Sequence, residues 1–87
     1  MFLPINLYNV LVIKYLLEEP RTKRQIVYHL REHKYNGTES AIHNMLTKLI
    51  QYKLIQRNEA HVVSQNTYSV TEFGIEQWAS IQQLVQA

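Results

Sequence analysis

Hydrophobic positions along this chain fall into four helical patterns with two short extended ones between the third and the fourth. Leu7 to Glu18 is apolar at Leu7, Tyr8, Val10, Leu11, Val12, Ile13, Tyr15, Leu16 and Leu17, which is more than one helical face. A helix greasy nearly all round has to be covered on two sides, and a second copy of the chain would supply such cover. Glu19-Pro20-Arg21 breaks the pattern, and Thr22 with Gln25 three residues on has the spacing of a capping box. The second helix is predicted from about Lys23 to His33, burying Ile26, Val27 and Leu30.

Tyr35-Asn36-Gly37 is a turn signal, and Thr38 or Ser40 can cap a third helix that ends near Tyr52-Lys53. Ile42, Met45, Leu46, Leu49 and Ile50 recur at helical spacing, so the opposite face presents Glu39, Ser40, His43, Asn44, Thr47 and Lys48. Leu54 to Arg57 then reads as a strand, Asn58 to Gln65 as a polar tip, and Thr67 to Val70 as the returning strand. Thr71 caps a last helix whose apolar side holds Phe73, Trp78, Ile81, Leu84 and Val85. Gly74 in its first turns costs about 1 kcal/mol against alanine, so that start is expected to fray. The predicted class is mainly α with a small β-wing, in the order α-α-α-β-β-α. Two short helices joined by a glycine-containing turn and followed by a two-stranded flap form a winged helix-turn-helix. Residues 1–87 read as one such domain, with the helix-turn-helix at about 22–53, the wing at about 54–70 and a C-terminal dimerisation helix at about 71–86.

Composition changes this picture little. A hydrophobic content of 46% argues against disorder. The apolar run from Leu7 to Leu17 is interrupted by Asn9 and Lys14 and is too short to span a bilayer. Met1-Phe2-Leu3-Pro4 lacks the basic start of a secretory leader, and the absence of cysteine fits a reducing cytoplasm.

Charge changes it more. Between Pro20 and Arg57 eight basic residues face only Glu32 and Glu39, a surplus of +6, whereas the remainder sets Lys14 against five glutamates, or −4. Such a concentration suits a polyanionic partner.

On this reading the third helix enters the major groove of double-stranded DNA. Ser40, His43, Asn44, Thr47 and Lys48 would contact bases, since Asn pairs bidentately with adenine and Lys meets a guanine edge or a phosphate. Thr22, Lys23, Arg24 and Gln25 at the start of the second helix, with Arg57 on the wing, would contact phosphate. Leu7, Leu11, Trp78, Ile81, Leu84 and Val85 would form a homodimer seam, so the DNA site would be an inverted repeat. The tip offers no Lys or Arg, only His61, which leaves wing contacts in question and keeps open a protein-binding winged helix of viral or plasmid type. Single-stranded nucleic acid fits less well, because the aromatic residues do not fall on one polar sheet face.

Two sites of other chemistry can be weighed. His29-Leu30-Arg31-Glu32-His33 matches H-x-x-E-H, whose histidines at i and i+4 share a metal in some hydrolases. Here one side of that helix must face the core and a third ligand would have to be improvised from Glu72 or Glu76, so the match is read as coincidence. Tyr8, Tyr15 and Trp78 could line an effector pocket, but such stripes are more often core or seam, and no effector class can be named. Neither a phosphate loop nor a catalytic arrangement can be argued. The chain is expected to be no enzyme and to need no cofactor or metal.

Two passages also resemble a known family. Leu46-Thr47-Lys48-Leu49 followed by Lys53-Leu54-Ile55 resembles the LxxLexxGLI passage that closes the recognition helix in PadR-like and MarR-like regulators. Tyr68-Ser69-Val70-Thr71-Glu72-Phe73-Gly74 resembles the YxLTexG passage leaving the wing in PadR-like proteins. The resemblance covers nearly the whole chain and implies a dimeric transcriptional regulator, usually a repressor, whose last helix dimerises. Lys53 stands where that family prefers glycine, and His43 where it usually carries tyrosine.

Overall fold

The computed structural model describes residues 6–86, with side chains through residue 83. Met1 to Pro4, read above as lacking a leader pattern, and the side chains of Leu84 and Val85, assigned above to the seam, lie outside it. The elements run α1 (Leu7–Glu18), β1 (Arg21–Thr22), α2 (Lys23–Glu32), α3 (Glu39–Gln51), β2 (Ile55–Asn58), β3 (Thr67–Val70) and α4 (Glu72–Gln86). A single 3-10 turn, Val63–Gln65, sits between β2 and β3.

The expected order therefore lacked one strand. Arg21 and Thr22 pair antiparallel with Tyr68 and Thr67, so β3 lies at the centre of a three-stranded sheet of order β1-β3-β2. On its other side β3 pairs with β2, Ile55 facing Val70 and Arg57 facing Tyr68. A two-residue strand has no periodicity of its own, and only its partner reveals it.

Four helix starts are set by side-chain caps. Asn6 and Asn9 form a reciprocal box at α1, as do Thr22 and Gln25 at α2. The Thr38 hydroxyl oxygen accepts from the Ala41 N–H at 3.1 Å, and that of Thr71 from the Gly74 N–H at 2.9 Å. Each cap satisfies a donor that the first helical turn would otherwise leave open.

The ends of α2 and α3 share one device. Lys34 and Lys53 have positive φ, 69° and 62°. Beyond them the Tyr35 N–H donates to the Leu30 carbonyl at 3.0 Å and the Leu54 N–H to the Leu49 carbonyl at 3.0 Å. With the Lys34–Arg31 and Lys53–Ile50 bonds these are two Schellman motifs, closed by lysine instead of glycine. The left-handed residue of the helix-turn-helix is thus Lys34, ahead of the expected Tyr35-Asn36-Gly37. Gly37 serves a different end, because a methyl group there would run into the Tyr35 ring.

The core gathers Val12, Ile13 and Leu16 of α1, Ile26 and Leu30 of α2, and Ile42, Leu46 and Leu49 of α3 with Leu54, Ile55, Tyr68 and Ile81. Two expectations fail here. Helix α1 is covered by α2, β3 and α4 of its own chain, leaving mainly Leu7 and Leu17 outside. Ile81, assigned to the dimer seam, is 1% exposed and belongs to this core, while Trp78 packs half-buried against it. Among the described side chains of α4 the large exposed apolar ones are Phe73 and Ile75. The start of α4 is also tightly docked. A Cβ at Gly74 would collide with the Leu54 carbonyl oxygen and come within 2.7 Å of Val70, so glycine is there for close approach.

Candidate nucleic-acid interface

Core packing of Ile42, Leu46 and Leu49 turns the other side of α3 outward. Ser40, His43, Asn44, Thr47 and Lys48 are all exposed. They form two neighbouring rows at i, i+4 spacing, one through Ser40, Asn44 and Lys48, the other through His43 and Thr47. From Ser40 to Lys48 the axis advances about 12 Å, at about 1.5 Å per residue, which is close to the width of a DNA major groove. The Thr47 hydroxyl donates to the His43 carbonyl at 2.9 Å, so outward it offers a methyl group and an acceptor oxygen.

The wing and the start of α2 frame this face. Lys23 lines a depression with Glu39, Ser40, His43 and Asn44. Lys23 and Arg24 also meet Ser64 of the wing in a second depression, beside Val27 and Glu39. Arg57 shares a groove with His43 and Thr47, together with Gln56 and Lys53, and lines another depression with Lys23 and His43. Lys23, Arg24, Lys53 and Arg57 thus each line a depression that α3 also borders. Arg57 lies 3.5 Å from Glu59, an exposed pair of little energetic consequence that leaves its guanidinium available to a stronger anion.

Other predicted cations are engaged elsewhere. The Arg21 guanidinium bonds Glu19 at 2.9 Å and Glu18 at 3.3 Å and lies 4.1 Å over the Tyr15 ring, so it holds β1 to α1. Arg31 donates to the carbonyls of Tyr35 and Gly37 and braces the turn between α2 and α3. The surplus in this segment is therefore only partly at the interface. Thr22 and Gln25 are occupied with each other, the Thr22 N–H donating to Gln25 Oε1 at 2.8 Å and the Gln25 N–H to Thr22 Oγ1 at 3.2 Å. Their part is to set the start of α2, with Gln25 Nε2 left over.

The histidines of H-x-x-E-H form a stack. The His29 ring lies on Tyr15 with centroids 3.9 Å apart and meets His33 edge-on at 4.6 Å. Partial burial, then the neighbouring His33, holds the His29 imidazole below its usual 6.5. Among the described residues no three side chains gather as a metal site, and no helix is long and apolar enough to cross a membrane.

The wing holds what the sequence did not single out. Its tip is closed by the Ala60 N–H donating to Asn66 Oδ1 at 2.7 Å, and Ser64 within it lines a depression with Lys23 and Arg24. Val62 and Val63 are exposed at 52% and 81%. Gln56 joins the groove beside His43, and only the tertiary arrangement of β2 against α3 shows it.

No family model and no curated protein matches the chain. Solved structures do. A PadR-like transcriptional regulator of Bacillus cereus superposes with a TM-score of 0.72 at 20% identity over 87% of this chain and 78% of that one. A PadR family transcription regulator of Clostridium difficile gives 0.75 at 17% identity, over 88% and 84%. A Streptococcus mutans protein gives 0.76 at 16% identity, over 97% and 82%. The chain has the winged-helix fold found in PadR-family transcriptional regulators.

Proposed function

We propose that this chain is a transcriptional regulator that binds double-stranded DNA with α3 in the major groove. The observation that carries the reading is the exposed polar face of α3 bordered by depressions that Lys23 and Arg24 of α2 and Arg57 of the wing also line. Phosphates would meet Lys23, Arg24, Arg57 and Lys53, and the base edges Ser40, His43, Asn44, Thr47 and Lys48. The PadR-type neighbours, described as transcriptional regulators, favour the same reading.

The finer reading is a repressor acting as a homodimer on an inverted repeat. Its seam would use Leu7 and Leu17 of α1 with Phe73, Ile75 and Trp78 of α4, apolar residues the chain leaves exposed or half-covered. An intracellular, non-enzymatic role without cofactor goes with it.

A gel shift on duplex DNA from upstream of its own coding sequence, at two salt concentrations, tests the proposal. Binding is expected to weaken steeply with salt, and Lys23→Ala to reduce the salt slope by about one unit. Duplex of any sequence failing to bind at low salt would sink it. The exposed, uncharged Val62–Val63 tip favours a second reading, a winged helix that docks on a protein, and that outcome would then take its place.

A further inference from the structure

A cavity of about 330 Å³ lies between the start of α1 and the flank of α3. Asn6 and Asn9, Tyr35 and Tyr52, and Asn44 and Lys48 line it, over a floor of Met45 and Leu49. Its volume suits a small ligand.

The α1 cap fixes two of its polar groups as donors. In the α1 capping box the Asn9 N–H donates to Asn6 Oδ1 at 2.9 Å and the Asn6 N–H to Asn9 Oδ1 at 3.2 Å. Each carboxamide oxygen thereby accepts one bond, and the two amide nitrogens remain as donors. Asn9 is 8% exposed and lines the cavity, and its amide nitrogen has no hydrogen-bond partner among the described residues. The usual partner in such a box is a glutamate or glutamine, and a glutamate would bring negative charge. Here the first turn of α1 has no acidic residue, its dipole favours an anion, and Lys48 adds a full positive charge. Among the described residues no carboxylate lines the cavity. The free donors of the cap, the helix dipole and the Lys48 charge together favour an anion at this end of the cavity. A lysine with amide donors and no guanidinium suits the three oxygens of a phosphate better than the two of a carboxylate. Tyr35 and Tyr52 offer aromatic surface to a flat body.

We propose that this cavity binds a small phosphate monoester carrying a flat heteroaromatic ring, of the nucleoside monophosphate class. The phosphate sits on Asn6, Asn9 and Lys48, and the ring against the tyrosines. Lys48 and Asn44 belong to both the cavity and the α3 face, so the ligand draws them from the groove and competes with DNA. That coupling rests on the DNA reading above and, by linkage, runs both ways. Binding itself does not depend on it.

Isothermal titration of the full chain with adenosine monophosphate, adenosine and inorganic phosphate tests the site. Adenosine monophosphate is expected to bind tightest, since it alone uses both halves. Asn6→Asp and Asn9→Asp keep the oxygen that the capping box needs but replace a donor with negative charge. Asn6→Asp should melt no lower than the parent, and both variants should lose at least about tenfold in affinity, the loss expected for one charged hydrogen bond. Asn6 is exposed, so its variant folds even if a buried carboxylate at Asn9 is not tolerated. No heat at millimolar adenosine monophosphate, equal binding of adenosine, or unchanged affinity in Asn6→Asp overturns the proposal. In a gel shift the nucleotide should release duplex from the parent and not from Asn6→Asp. A chain that binds no duplex but titrates, and loses that heat in Asn6→Asp, supports the site and overturns only the DNA reading.

Discussion

Replacing Gly74 by alanine separates local helix preference from tertiary packing. By propensity the change stabilises α4 by about 1 kcal/mol, because glycine is the poorer helix former. The fold opposes it. The new methyl group would run into the Leu54 carbonyl oxygen and come within 2.7 Å of Val70 Cγ1. That carbonyl cannot retreat freely, since it accepts from the Thr71 N–H at 3.0 Å and from the Thr71 hydroxyl at 3.2 Å. Overpacking costs about 1–3 kcal/mol, and with a pinned backbone atom as the obstacle the upper end applies. The net loss is then about 2 kcal/mol, or a melting temperature lower by about 8–16 °C in a domain of this size. Urea titration followed by circular dichroism gives the midpoint, and an unchanged slope confirms that native stability changed. Adding Val70→Ala should not rescue the variant, because it removes only the softer obstacle. A Gly74→Ala protein as stable as the parent, or rescue by Val70→Ala, would refute the argument.

Three further outcomes are expected. Lys53→Gly should stabilise by about 0.5–1 kcal/mol in the same assay, relief of left-handed strain outweighing the added chain entropy. Asn44→Ala should relax base preference at one position per half-site, costing about 1–3 kcal/mol there, and a binding-site selection that returns the parent preference would remove Asn44 from the reading face. Because the folded His29 imidazole sits below its usual 6.5, the unfolded chain takes up the proton first as pH falls. Stability should therefore decline below about pH 6.5, fully expressed once pH passes the folded value, and His29→Phe, which keeps the stack on Tyr15, should flatten that decline in a series of melts.

Much of the fold was written locally. The bounds of α1 and β3 match the residue pattern, and Thr22, Thr38 and Thr71 cap the helices they precede. A cap joins residues three apart and a helical face repeats within two turns, so neighbouring residues suffice to reveal both. For the same reason the outward direction of Ser40, His43, Asn44, Thr47 and Lys48 followed from the apolar positions opposite them. The tertiary structure alone decided which long-range partner each remaining residue meets. Arg21 pairs across β1 with Tyr68 and across space with Glu18 and Glu19, so a cation counted toward a partner became a brace. Ile81, on the same apolar side as the rest of α4, reached the core, while Phe73 and Ile75 stayed outside. Gly74 looked like a flaw in a helix and proved to be the place where α4 touches the Leu54 backbone. Asn6 and Asn9 carried the i, i+3 spacing of a cap in plain view, but the cavity that leaves their amide nitrogens unpartnered exists only where α3 packs beside α1. Periodicity states which face of an element is apolar. What that face meets depends on the packing of elements distant in the chain, and no local pattern encodes it.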